Sequence, residues 1–188
     1  MNLSFALLNE VLVHVDEVAN GLSCGCVCPQ CGEDLVAKNR GKIKEHHFAH
    51  YSGSECEHGY ETMLHLLAKE VINDHKEVLL PKLNASVDGI VTNLLIRDEE
   101  VKILKEVILE KRISDIIPDV IVYDDKNEPL LIEIKVTHGI DDIKLEKIRK
   151  IGISTIEIDL SNVYIPDYNH MLECLTMYSF VRKWIYNR

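Results

Sequence analysis

The sequence predicts a mixed α/β (α+β) fold: a central mixed sheet flanked by helices, with a small cysteine- and histidine-rich element at its N-terminal side. Three observations predict it. Residues 117–140 read IPDVIVYDDKNEPLLIEIKVTHGI, two aliphatic segments around a polar turn, which is the patterning of a β-hairpin. Residues 60–76, YETMLHLLAKEVINDHK, repeat apolar side chains at three- and four-residue intervals through Met63, Leu64, Leu67, Ala68, Val71 and Ile72, the period of a helix with one buried face. Residues 20–59 are rich in Cys, His and Gly and poor in large aliphatics, too poor to form a core without an added staple.

The elements follow in order. Residues 3–18 have the content of one or two strands, ended by ANG. The helix from Tyr60 comes after the Cys/His segment. Residues 87–112 read as strands with a charged turn at RDEE, and VKILKEVILEKR is their strongest part. PDVIVYD and PLLIEIKV form the hairpin through DKNE. DDIKLEKIRKIG is helical, capped by Asp141 or Asp142 and stopped by Gly152. STIEIDL is a further strand, which a crossover helix would return parallel to the strand holding Glu133. DYNHMLECLTMYSFVRKWIY reads as a terminal amphipathic helix, with Tyr178, Phe180 and Trp184 packing the core. Domain limits are drawn at 1–59 and 60–188.

Composition bounds the function. The chain has 188 residues, 46% hydrophobic and 28% charged, with a net charge of -10, a globular balance. No run reaches the length of a membrane span. MNLSFALLNEVLVHVDEV has no basic n-region or small-residue cleavage site, so a cytoplasmic protein is expected. The acidic balance argues against a broad basic surface coating DNA. It leaves open nucleic acid handled in a small cleft where bound cations offset local acid.

Five of the six cysteines, Cys24, Cys26, Cys28, Cys31 and Cys56, lie within one short segment beside several histidines. Cys28 and Cys31 form a C-P-x-C-G knuckle whose two-residue gap brings both sulfurs to one ion, with Gly32 permitting the turn. Thiolate and imidazole in a four-coordinate shell suit zinc, so a zinc-ribbon-like element is expected. The second pair comes from His46, His47, His50 and Cys56: either His50 with Cys56, or His47 with His50. Cys24 and Cys26 are buried thiols or alternative ligands. Enough ligands exist to close the shell, which favours a structural zinc.

Asp119, Glu133 and Lys135 are charges inside segments built for a buried sheet. Glu133 and Lys135 project from one strand face while Ile132, Ile134 and Val136 project from the other. A turn centred near Lys126 would set Asp119 against Glu133; one residue of slip would turn it away. Two neighbouring carboxylates suit Mg²⁺ or Mn²⁺, with help from the Ile134 carbonyl. Such a cation lowers the pKa of a bound water and offsets charge on a scissile phosphate, and Lys135 can orient or help deprotonate that water. Glu61, with His65 and Lys69 further along the same helix face, could complete the site. Asp115, Asp124 and Asp125 read as loop solvation.

PDV followed by EIK across a hairpin, with an acidic residue on the preceding helix, resembles the PD-(D/E)XK nuclease superfamily. CPQCGEDLVAKNRGKIKEHHFAH, then Cys56, ETMLHLLAK, PDV and IEIKVTH in that order, is similar to the CoiA-like competence-protein family over about residues 20–140. The resemblance implies a restriction-endonuclease-like core with metal-dependent cleavage of DNA, in recombination or in handling foreign DNA. Asp119, Glu133 and Lys135 match its nuclease motif, Glu61 and His65 its helix signature, Thr137 and His138 the segment after it. The chain is short for that family, which leaves further DNA contacts to be absent or supplied by a protein partner. The alternative is a non-catalytic zinc-containing module that binds DNA or protein on an inactive nuclease scaffold. Glu133 and Lys135 would then be an ordinary cross-strand ion pair.

Overall fold

The computed structural model describes residues 2–54, 56–87, 90–164 and 166–188. The chain divides into two compact units, Met1–Leu67 and Ala68–Arg188.

In the first unit, β1 (Phe5–Leu8) and β2 (Val11–His14) form an antiparallel hairpin. Asn9 and Glu10 both take positive φ, 51° and 67°, the twist that a two-residue turn needs to match its strands. β3 (Leu35–Lys38) and β4 (His47–His50) form a second hairpin. Isolated bridges Leu3–Phe48, Leu7–Val27 and Gly21–Ala37 stitch the segments together. α1 (Gly59–His75) begins in this unit. Its Met63, Leu64 and Leu67 are buried, as are Phe5, Leu35 and Phe48.

The second unit takes the remainder of α1, where Ala68, Val71 and Ile72 are buried as the periodicity predicts. β5 (Glu77–Leu80), β6 (Leu83–Val87), β7 (Ile90–Arg97) and β8 (Glu100–Ile103) pair as β5 with β8 and β6 with β7. The segment VKILKEVILEKR is therefore divided: its first part completes β8, and β9 (Glu106–Leu109) goes to another sheet. Asp88 and Gly89, within the predicted strand region, lie outside the described residues.

That other sheet has five strands in the order β13-β12-β11-β10-β9. β10 (Val120–Tyr123) and β11 (Pro129–Lys135) are the predicted hairpin. Asp124 organises its turn and is buried, not a solvating loop residue: it accepts the N–H groups of Lys126 and Glu128 and meets Lys102 Nζ at 2.7 Å. α2 (Asp142–Ile151) follows, with Asp141 accepting from Lys144 N at its start and Gly152 at φ 70° ending it. This crossover returns β12 (Thr155–Asp159) parallel to β11. On one sheet face Ile121 and Leu131 pack with Ile148 of α2 and Ile116. The other face buries Val120, Val122, Ile132, Ile134, Ile156 and Ile158.

The C-terminal segment departs from expectation. α3 (Tyr168–Thr176) stops early, and β13 (Arg182–Tyr186) is an antiparallel edge strand on β12. The cause is Arg182, whose buried guanidinium donates to the carbonyls of Cys174, Leu175 and Leu79. Two of these are terminal helix carbonyls that continued helix would have satisfied. Beyond it the alternating R-K-W-I-Y prefers a pleat. Trp184 is half-buried, its Nε1 donating to Pro81 O at 2.9 Å. Phe180 is 82% exposed and takes no place in the core.

Candidate metal centre and charged sheet face

The knuckle carries the first site. Gly32 has φ 73°, and its N–H donates to Cys28 O at 2.9 Å, closing the turn that brings Cys28 and Cys31 together. Glu33 accepts from Ser52 N at 2.8 Å and from Ser54 Oγ at 3.2 Å, which fixes the loop leading to Cys56. The ligand atoms of Cys28, Cys31, His50 and Cys56 all lie within 4.8 Å of one another, and Cys31 Sγ is 3.4 Å from His50 Nε2. A tetrahedron with zinc bond lengths has edges of about 3.5–3.8 Å, so three thiols and an imidazole at these separations fit that ion. Burial pushes the Cys28 thiol up to about 11. Cys31 is held below the usual thiol range, first by the backbone N–H of Glu33. A divalent cation is the counter-charge that would deprotonate the buried one.

Of the two ligand sets left open by the sequence, the one with Cys56 is assembled. His47 stands three residues from His50 on β4, and an odd separation puts them on opposite strand faces. His47 Nδ1 instead meets Glu45 O at 2.9 Å. His46 lies between Asp16 and Gly41 O. Cys24 and Cys26 are buried thiols, with Cys24 Sγ donating to Leu35 O at 3.2 Å.

Residues 19–59 match the family model described as Competence protein CoiA, N-terminal domain. Over this segment the chain is similar to CoiA N-terminal domains. The segment contains all four clustered ligands. Among curated proteins and among solved structures, no significant match was found.

Outside the matched segment, in the second unit, charges gather on the sheet face where α2 packs. The register Val120↔Ile132 continues one step to set Asp119 opposite Glu133, as a turn centred on Lys126 requires. Asp119 Oδ2 accepts from Ile134 N at 2.7 Å. Glu133 is 4% exposed. One of its oxygens meets Lys144 Nζ at 2.6 Å, and the other, Oε1, is buried without a hydrogen-bond partner among the described residues. Burial raises the Glu133 carboxyl to about 7; the Lys144 ammonium opposes this, while Asp119 and Glu157 add to it.

Lys135 pairs with Asp159 at 2.6 Å, which holds its ammonium above the usual lysine range. Glu157 sits in register with Glu133 and pairs with Lys183 at 2.8 Å. Asp119, Glu133 and Lys135 are thus brought onto one face, with Lys144, Glu157, Asp159 and Lys183 beside them. The last four were not singled out from sequence. STIEIDL carried a signal in its i, i+2 spacing of Glu157 and Asp159; Lys144 is exposed by spacing only once the packing of α2 is known. Among the described residues, only the cysteine–histidine group assembles three or more ligand side chains.

Glu61 and His65 lie on α1 in the first unit, where Glu61 Oε2 is 3.5 Å from His58 Nδ1. Lys69 is buried and ion-paired with Glu110. Thr137 Oγ1 and His138 Nδ1 are 2.9 Å apart. No helix among the described residues is long and apolar enough to cross a membrane.

Proposed function

We propose that the second unit is a divalent-cation-dependent nuclease of the PD-(D/E)XK kind, acting on DNA, and that the segment similar to CoiA N-terminal domains is stapled by a structural zinc. The observation that carries the nuclease reading is Asp119 set against Glu133, with a buried Glu133 oxygen that has no hydrogen-bond partner among the described residues. A carboxylate oxygen in that state is costly unless an ion or proton meets it. Mg²⁺ or Mn²⁺ would be held by Asp119, Glu133 Oε1 and the Ile134 carbonyl. Pro118, which faces Ile134 when the register is continued, has no N–H to offer that carbonyl. A cation there would acidify a bound water and offset charge on the scissile phosphate. Lys135 stays protonated beside Asp159, so its role is to orient the water and counter phosphate charge rather than to remove a proton. The description of the matched domain names a competence protein, which supports DNA as the substrate.

The test is degradation of supercoiled and linear plasmid by zinc-loaded protein with Mg²⁺ or Mn²⁺. Asp119→Ala and Glu133→Ala should abolish cutting, and Lys135→Ala should slow it by about 10²–10³-fold. Equal cutting by wild type and both carboxylate variants, or none by any, rejects the reading.

One observation favours a second reading, a binding module on an idle scaffold. Glu133, Glu157 and Asp159 each already meet a lysine, as a purely structural network would arrange them. Lys144→Met separates the two. It leaves an active site cutting, with tighter Mn²⁺ binding as the competing ammonium is removed; in a structural network it only destabilises the sheet.

A further inference from the structure

All four lysines and arginines of the first 67 residues, Lys38, Arg40, Lys42 and Lys44, fall within seven consecutive positions, in a stretch that otherwise carries nine Asp and Glu. They occupy the end of β3 and the loop to β4, and all are exposed. Among the described residues none of the four forms an ion pair. Ile43, between Lys42 and Lys44, is 98% exposed. A groove of about 410 Å³ runs along the loop, lined by Lys38, Arg40, Lys42, Ile43 and Lys44 among others.

The stem beneath this tip is fixed. Asn39 Nδ2 donates to Val15 O at 2.6 Å and Val18 O at 2.9 Å, and Asn20 Nδ2 donates to Ala37 O and Asn39 Oδ1, each at 3.0 Å. His46 ties Asp16 to Gly41 O at 2.8 Å. Four cations, one at every second residue and none ion-paired among the described residues, are thus held out on a braced hairpin, with Glu45 the one acidic residue lining the same groove.

We propose that the β3–β4 loop is a docking element for the phosphate backbone of duplex DNA. Cations repeating along a projecting segment match a partner whose negative charges also repeat, and releasing its counterions drives such binding. A single apolar residue is too little to anchor the loop in a lipid surface; beside phosphates, Ile43 can lie against sugar or wedge at a groove edge. The choice of DNA over another polyanion rests on the function proposed above; the charge geometry does not.

The experiment measures binding of a duplex of about 30 base pairs by fluorescence anisotropy over a range of KCl. It uses full-length, zinc-loaded protein in the Asp119→Ala background, so that nothing is cut. Lys42→Glu with Lys44→Glu should weaken binding at least tenfold and reduce the slope of log K against log[KCl] by about 2, since each phosphate left without its lysine lowers the slope by about 0.9. Should that pair lose zinc, Lys42→Gln with Lys44→Gln reads the same slope. Unchanged affinity and slope overturn the proposal. So does the absence of duplex binding, or loop-dependent binding confined to phosphatidylglycerol–phosphatidylcholine vesicles. Plasmid cutting without a slope change rejects the loop alone; a slope change without plasmid cutting rejects the nuclease alone.

Discussion

Glu133 concentrates the second unit's chemistry into one side chain. Its folded pKa, about 7, stands above the ordinary value of 4.5 because burial penalises the anion more than Lys144 favours it. The folded state therefore binds the proton more tightly than the unfolded chain. Its contribution is fully present below about pH 4.5 and is lost as pH rises through 7. Glu133→Gln removes this titration, so the stability of the variant relative to wild type should improve between those values and level off above, by roughly 3 kcal/mol. Urea melts of metal-free protein at several pH values check it, and a pH-independent difference contradicts it. Gly139 is a second sensitive position, because a Cβ there would meet Glu157 Oε2 at 2.8 Å and Lys135 Cδ at 3.4 Å. Gly139→Ala should destabilise by about 1–3 kcal/mol and, on the nuclease reading, lower cutting by displacing Lys135.

At the scale of elements, α2 decides what surrounds Glu133. Ile148 and Lys144 are one turn apart on one helix face, and Leu131 and Glu133 are one pleat apart on one strand face. The packing that seats Ile148 on Leu131 thereby delivers an ammonium to Glu133. The α3–β13 corner works differently. Burial lowers Arg182 to about 10, yet its guanidinium meets four carbonyls, those of Leu79, Cys174, Leu175 and Tyr178. Arg182→Met keeps the volume and leaves those carbonyls without that donor, at a cost of roughly 3 kcal/mol. An unchanged urea midpoint would show that the corner does not depend on them.

Over the whole molecule, two kinds of staple hold two units. The second has a packed core around Leu131, Ile132, Ile148, Ile156 and Ile158, all fully buried. In the first, residues 20–59 are poor in large aliphatics and carry the cluster of Cys28, Cys31, His50 and Cys56. Removing the metal with a strong chelator should strip amide-exchange protection from Leu35–Lys38 and His47–His50 while the amides of Leu131 and Ile156 keep theirs, since metal affinity is folding free energy in such elements. Retained protection in β3 and β4 would mean that the thiol-rich unit stands without an ion.

The sequence by itself determined the local patterns. Apolar periodicity gave α1 and the buried faces of β10 and β11, Asp141 and Gly152 bounded α2, and C-x-x-C spacing marked the knuckle. Each depends on residues close in the chain, where backbone geometry leaves few choices. What only the tertiary structure decided was which distant groups meet. His47 and His50 were equal in composition but not in facing. The register that sets Asp119 against Glu133 was one of two until the turn at Asp124 fixed it. Lys144, Glu157 and Lys183 entered the charged face only through the crossover and the edge strand. RKWIY reads as readily as helix, and became β13 because Arg182 ends α3 and a neighbouring strand was there to pair with. Contacts across the fold depend on packing and register, which no local period encodes.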